Sequence, residues 1–392
     1  LRQVLTIAYY EIVHILRDRL LLGQIFFVPF LYTLLLGAVY IAGVLNNIPL
    51  GVVNLDNSQL SREVVTAFAN SPHFQLNKQI NSYSGLERAM GDGTVRAGLV
   101  IPEDYAQKVS LHQNTEVLIV YDSSNLIWGY NTRKYAREVI NSFNIDHTSA
   151  YLAGLGLTKE EVQNTMDTVS LNMEVWYNPT YSYATFILLG IVLMVLHQIG
   201  LQSAGLTVTR EKEQNSWLQF LSSSVPPWKI FLGKSLPYYI SSFFNYALLL
   251  WLVDYLIHVK IGGSLFLIIL LGALYILVII AAGFYISVKA ATSLQVTRYI
   301  MLLSVPFFII SGYTWPTRYI PAYINDLAHL LPFTWMAEGL RLVTLKGLGV
   351  HYLGNHILAL SVMSAAALFP AITFGKPRKH ASSQKQYYFR RT

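Results

Sequence analysis

Six stretches of the chain stay apolar for about twenty residues each: 20–42, 183–206, 230–255, 264–288, 293–313 and 353–374. A helix needs roughly 20 such residues to cross a bilayer core of about 30 Å, so each is predicted to be a membrane span. The fifth is the weakest, because Arg298 sits in its first turns. Ahead of span one, Val4, Leu5, Ala8, Ile12, Ile15 and Leu16 recur at helical spacing among the polar Glu11, Arg17, Asp18 and Arg19. That pattern predicts an amphipathic interfacial helix over 1–19.

The long segment 43–178 has a different rhythm. Alternating or continuous apolar runs with β-branched residues predict strands at 49–55, 97–101 and 116–121. Helices are expected at 61–70, 84–90 and 128–149, with Ser58 and Ser84 as N-caps. The segment is long enough for its own core and reads as an α+β domain inserted between spans one and two. Between spans two and three, 207–229 reads as a short charged helix with an apolar face, stopped by Pro226-Pro227. The 314–352 loop carries Trp315, Ile320, Leu327, Leu331, Phe333 and Trp335. A loop this apolar is expected to dip back into the interface or to pack on the spans. The expected architecture is an all-α six-span membrane domain, with five spans over 179–375 and a basic tail over 376–392.

Composition agrees with lipid as the solvent. Hydrophobic residues make up 53% of the 392 and charged residues only 12%, about half the share usual in a soluble domain. No short apolar core with a small-residue cleavage site opens the sequence, and its first apolar run is long enough to stay in the membrane. Charge is unevenly placed. Residues 43–178 hold nine Lys/Arg and fourteen Asp/Glu, while the remainder holds 19 basic and 7 acidic residues. Lys and Arg cluster before span one, between spans two and three, between four and five, and in the tail. Alternation through six spans puts all of these on one side, which the positive-inside rule makes the cytoplasm. Both termini are then cytoplasmic, and the acidic 43–178 segment, the 257–263 turn and the 314–352 loop lie outside. The basic pI belongs to these flanks and does not imply nucleic-acid binding.

The sequence offers little for catalysis. It has no cysteine, its ten histidines are scattered, and no His-x-x-x-His pair sits beside a carboxylate, so neither a catalytic nor a metal site is expected. Gly233-Lys234-Ser235 looks like the end of a phosphate-binding loop, but the glycine required five residues earlier is Trp228, and the segment enters an apolar span. Several polar groups do lie inside spans: His197 and Gln198 in span two, Asn245 in span three and Ser311 in span five. Such groups either line a wet path or hydrogen-bond between helices. Beside Pro306, Phe307 and Phe308 either contact an apolar substrate or pack on neighbours. Glu338 and Arg341 are three apart and could pair on one helical face.

Four stretches, in order, carry a family resemblance. They are Gly51–Ser58 followed by Ser61-Arg62; Gly98-Leu-Val-Ile-Pro102-Glu-Asp104-Tyr105; Arg210-Glu211-Lys212-Glu213 leading to Gly233-Lys234-Ser-Leu-Pro237; and Leu331-Pro332-Phe-Thr334-Trp-Met-Ala-Glu338-Gly-Leu-Arg341. Together they resemble the type-2 permeases of ATP-binding-cassette (ABC) transporters, in particular multidrug-type exporter permeases with a large domain between spans one and two. The family's coupling segment usually continues with a Gly-Thr pair, whereas this chain has Gln214-Asn215-Ser216.

The resemblance implies an inner-membrane permease subunit that exports a hydrophobic or amphipathic compound, a drug-like molecule or a lipid. A separate cytoplasmic ATPase would bind ATP and magnesium, leaving this chain without a cofactor of its own. It implies a second permease, as homo- or heterodimer, and a periplasmic adaptor. It gives coupling to Arg210, Glu211, Lys212, Glu213, Trp217 and Leu218, and an outer re-entrant role to the segment holding Pro332, Thr334, Glu338 and Arg341. Spans two and five become walls of the substrate path, with His197, Gln198, Asn245, Phe307, Phe308 and Ser311 as its candidates. The competing class is a non-transporting membrane receptor or scaffold that uses 43–178 to bind an extracytoplasmic ligand.

Overall fold

The computed structural model describes every residue except 41–45, 78, 79, 81, 112, 114, 125, 167–175, 180, 181 and 375–392. The basic tail expected over 376–392 lies outside the described residues. The chain divides into two compact units, one of Leu1–Gly43 with Trp176–Thr392 and one of Val44–Val175.

Helix α1 (Arg2–Arg17) buries Val4, Ala8, Glu11 and Ile15 along one face and leaves Leu5, Tyr9, Ile12 and Leu16 exposed. Asp18 ends it and starts the next helix. Its carboxylate accepts from the N–H groups of Leu20 and Leu21, both at 3.0 Å, so it satisfies donors that a helix start leaves orphaned. Span one is then built from α2 (Arg19–Leu22), a π-helical turn over Gly23–Phe27, and α3 (Val28–Tyr40).

The 44–175 unit follows in the order β1 (Ile48–Asn54), α4 (Gln59–Asn70), β2 (Phe74–Asn77), α5 (Tyr83–Gly91), β3 (Ala97–Ile101), α6 (Tyr105–Ser110), β4 (Leu118–Tyr121), α7 (Leu126–Gly154) and α8 (Lys159–Met166). Its sheet has the order β2-β1-β3-β4, with β1 parallel to β2 and β3, and β4 antiparallel to β3. One face packs Ile48, Leu50, Leu99 and Ile101 against Val64 and Phe68 of α4. Val53 belongs to a smaller cluster with Leu86 and Val95. Ser58 caps α4, its hydroxyl accepting from Ser61 N–H at 3.0 Å. The cap of α5 is Ser82 rather than the expected Ser84. The Ser82 hydroxyl accepts from Gly85 N–H at 3.1 Å, while Ser84 falls inside the first turn. Strand β2 and helices α6 and α8 are too short to stand out in the sequence pattern.

The other unit continues with α9 (Tyr183–Glu213), α10 (Trp217–Ser222), α11 (Pro227–Tyr255), α12 (Leu265–Lys289), α13 (Ser293–Ile310), α14 (Ala322–His329), α15 (Pro332–Thr344) and α16 (Val350–Thr373). Among the described residues, six helices are long and apolar enough to cross a membrane: α2 to α3 taken together, α9, α11, α12, α13 and α16. Span two is mostly buried, and only about a quarter of spans one, five and six is buried. Small residues set the closest approach: a Cβ at Gly283 on α12 would lie 2.7 Å from the Leu201 carbonyl of α9. The loop after span five is largely structured, with a 3-10 turn over Thr317–Tyr319 followed by α14 and α15.

Three turns of the 44–175 unit share an Asp-x-Ser/Thr pattern. Asp92 accepts from Thr94 N–H at 2.9 Å and from its hydroxyl at 2.6 Å; Asp122 does the same with Ser124, at 2.9 and 2.6 Å; Asp56 accepts from Ser58 N–H at 3.3 Å. In each, the Ser or Thr hydroxyl is the main cause holding the carboxyl below the usual aspartate range, and Arg96 adds to the effect at Asp122. A carboxyl depressed in the folded state lends stability above its unfolded pKa of about 3.9 and loses it as pH falls through the folded value. Hydrogen exchange of the 44–175 peptides in the full chain should therefore be flat from pH 7 to 5 and quicken below about pH 4 relative to intrinsic rates. Thr94→Ala with Ser124→Ala should flatten that acid limb; an unchanged limb would remove these turns as its cause.

Candidate functional site

The charged run Arg210–Glu213 is not part of a separate coupling helix. It is the last turn of α9, which continues through span two to Glu213. The chain breaks at Gln214-Asn215-Ser216, where Asn215 takes φ +59°, and only Trp217–Ser222 forms the short helix α10. The helix expected over 207–229 is thus three pieces: the end of α9, α10 and the start of α11 at Pro227, where proline's missing N–H costs nothing.

Three of the four charges find partners inside the chain. Lys212 Nζ donates to the carbonyls of Ser287, Val288 and Ala290 at 3.1, 2.6 and 2.7 Å, capping the C-terminal end of α12. Glu213 accepts from Ser293 N–H at 2.7 Å and from its hydroxyl at 2.9 Å, at the N-terminus of α13, where the helix dipole favours an anion. Glu211 pairs with Lys234 of α11. Span two is therefore tied at this end to spans three, four and five.

Lys234 is the centre of the arrangement. Its side chain is 2% exposed, and its ammonium also contacts Glu11 of α1 at 2.9 Å. Tyr238, one turn further along α11, donates to the other Glu11 oxygen at 2.7 Å. The Phe220 ring of α10 lies 5.0 Å from the ammonium, within cation–π range. Next to it, Gly233 lets α1 cross α11 closely, since a Cβ there would meet Ile7 at 2.7 Å. The Gly233-Lys234-Ser235 run is thus a helix-crossing point with a buried counter-ion. A cavity of about 370 Å³ opens beside the cluster, lined by His14, Arg210, Gln214 and Phe220 among others.

Helix α10 is anchored through Trp217. Its ring stacks on Phe374 at 5.6 Å and joins a cluster with Ile230, Phe231 and Phe284. Leu218 and Leu221 face outward and are 68% and 47% exposed. Helix α10 thus displays an apolar pair beside charged groups.

The intramembrane candidates separate into two sets. His197 is buried and shares a 2.7 Å hydrogen bond with Tyr275 of span four, its ring edge-on to Phe333. Asn245 donates at 2.7 Å to the Ile25 carbonyl, inside the π-helical turn of span one where regular helix bonding is interrupted. Phe308 packs on Phe333 and Tyr313, and Ser311 bonds back to the Phe308 carbonyl at 2.7 Å. All four contact neighbouring side chains or backbone, while His197 Nε2 and Asn245 Oδ1 are buried without a hydrogen-bond partner. Gln198 lines a cavity of about 270 Å³ with Gln24, Tyr32, Met194, Gln202 and Met301, contributed by spans one, two and five. Phe307 is half-buried near His197, at 6.3 Å between rings. Periodicity alone did not expose Gln24 and Gln202 as neighbours of Gln198; the crossing of three helices does.

In the segment after span five, Pro332 opens α15 and Thr334 donates to the Ala328 carbonyl at 2.7 Å. Glu338 and Arg341 do not pair. Arg341 donates to the Tyr313 carbonyl at 2.6 Å and lies over the Tyr313 ring at 3.7 Å, while Glu338 faces His356 of α16 at 3.5 Å. Each reaches a different neighbouring element, which holds α15 to the ends of α13 and α16.

Removing one member of a buried ion pair strands its partner, a loss of ~3–5 kcal/mol. Lys234→Ala should accordingly lower stability by about that amount in detergent, and the triple apolar variant Glu11→Leu, Glu211→Leu, Lys234→Met should recover most of it. Thermal unfolding of the purified chain decides this. A Lys234→Ala variant as stable as the wild type would show that the cluster does not hold these helices.

Residues 19–372 match the family described as ABC-2 family transporter protein. The chain is 22% identical over 321 residues to the Escherichia coli (strain K12) protein named "Probable multidrug ABC transporter permease YbhR", covering 81% of this chain and 83% of that one. It is 22% identical over 371 residues to "Inner membrane transport permease YhhJ" of the same strain, covering 93% and 95%. With "ABC transporter G family member 20" of Dictyostelium discoideum it shares 21% over 362 residues, 90% of this chain and 48% of that protein.

Proposed function

The chain belongs to the ABC-2 transporter family, whose permeases work with a cytoplasmic ABC ATPase, and we propose that it is the permease subunit of an exporter for a hydrophobic or amphipathic compound. The observation that carries this reading is the linkage at one end of the bundle. Helix α10 is anchored by Trp217, touches the Lys234 ammonium through Phe220, and so connects with α1, span two and span three at once. A push on α10 reaches three elements through short, buried contacts.

In this reading the α10 end is cytoplasmic, as are both termini, and Leu218 and Leu221 meet the ATPase. Glu211, Lys212 and Glu213 transmit the motion to spans three, four and five instead of contacting the ATPase directly; Arg210 borders the same cavity. Two copies, or this chain and a related one, meet along the exposed faces of spans one and five. The cavity around Gln24, Gln198 and Gln202 then becomes part of a shared path. The 44–175 unit lies on the outer side and offers a surface to a periplasmic adaptor. The charge asymmetry of the flanks supports this orientation, and the likeness to multidrug permeases supports export as the direction.

Co-expression with the ATPase encoded beside this chain tests the reading. Leu218→Asp with Leu221→Asp should abolish co-purification and permease-dependent ATP turnover while leaving thermal stability within about 0.5 kcal/mol, because both residues are surface-exposed. Glu211→Gln, which keeps the shape and a hydrogen-bond acceptor for Lys234, should leave co-purification in place and uncouple turnover from transport. If the wild-type chain binds no ATPase, the exporter reading fails.

A further inference from the structure

The 44–175 unit contains a cavity of about 540 Å³ between strand β4 and helices α4, α6 and α7. This volume falls in the range of about 300–1,000 Å³ that small-molecule sites occupy. Its floor is apolar, formed by Val64, Val109, Val117, Ile119, Ile140 and Phe143. Its rim carries Arg133 and Arg137, one turn apart on α7, and the same helix face continues through Asn141, Asn144 and His147. The Thr115 hydroxyl, also on the lining, is buried without a hydrogen-bond partner.

Charge distribution sets the chemistry. Residues 43–178 are acidic, with fourteen Asp/Glu against nine Lys/Arg. Yet among the described residues the ion pairs of this unit are Arg96–Asp122 and Lys108–Asp104, and neither cavity arginine takes part in one. Two arginines at i and i+4 repel each other on a helix. Placed at the mouth of an apolar cavity, they offer planar donors suited to a carboxylate, sulfonate or phosphate. Among the described residues Glu116 is the only carboxylate on the lining, so the lining is cationic within an acidic unit.

We infer that this cavity binds an amphipathic anion, with its acidic group between Arg133 and Arg137 and its apolar body along Val117, Ile119 and Phe143. The site stands on the 44–175 unit alone and does not depend on the transport reading. The same chemistry is found in a monomeric amphiphile taken from water and in an anionic lipid.

The test uses the full chain in phosphatidylcholine nanodiscs and a diazirine-bearing decanoate, with crosslinks mapped by peptide mass spectrometry. Labelling should fall on β4 and α7 peptides. Excess decanoate should compete and decyltrimethylammonium should not. Arg133→Gln with Arg137→Gln should weaken labelling on the order of tenfold, and Ile119→Trp should block it by filling the floor. Hydrogen-exchange protection of β1 and β3 reports whether each variant stays folded. Competition by phosphatidylglycerol placed in the bilayer would mark a lipid as the occupant, and competition by added decanoate alone would mark a water-borne amphiphile. Equal competition by the cationic amphiphile, or undiminished labelling of a folded double-glutamine variant, overturns the proposal.

Discussion

The buried ammonium of Lys234 sets the terms for one end of this protein. A charge held away from water persists only with counter-charges and hydrogen bonds close by. Here the counter-charges come from Glu11 on the N-terminal helix and Glu211 at the end of span two, and Tyr238 satisfies the second Glu11 oxygen. Since each partner sits on a different element, none can move without disturbing the others. That is the property a transmission point needs, and Phe220 places the short helix α10 against it.

Elsewhere in the bundle, polar side chains are mostly engaged by the backbone or by each other. Asn245 serves the Ile25 carbonyl, Tyr246 donates to the Ile268 carbonyl at 3.0 Å, and Lys212 caps α12. In a medium without water every such group needs an internal partner. A polar residue inside a span is therefore first a candidate for satisfying a neighbour, and its position in sequence does not show whether anything remains for a substrate. Gln198 differs because three helices leave a space in front of it, with Gln24 and Gln202 on the same walls.

The 44–175 unit works under ordinary aqueous rules. Its sheet alternates between two apolar clusters, α4 and α5 start on serine caps, and three of its turns are closed by Asp-x-Ser/Thr hydrogen bonds. Charges there sit at the surface, so unpaired arginines at a cavity mouth are cheap to keep. Within the span bundle Lys234, by contrast, is drawn into a buried cluster with Glu11 and Glu211.

Much of this was legible in the sequence, because the signals are local. Six apolar runs predict six spans, since length and hydropathy are summed over neighbours in the chain. The strand at 97–101 and the cap at Ser58 follow from residue types within a few positions. What the sequence could not specify is which distant groups meet. Arg210–Glu213 reads as the charged part of a short coupling helix, and only the crossing of α9, α11, α12 and α13 turns its residues into an ion pair and two helix caps. Glu338 and Arg341 share a helical face at their spacing, but packing gives each a nearer partner on another element. Gly233-Lys234-Ser235 resembles a phosphate loop by letter, and the fold makes it a helix crossing around a buried charge. Side-chain pairing across tens or hundreds of residues depends on the angles and distances at which helices pack. Those are fixed by the whole assembly of shapes, and no segment of the chain carries them alone.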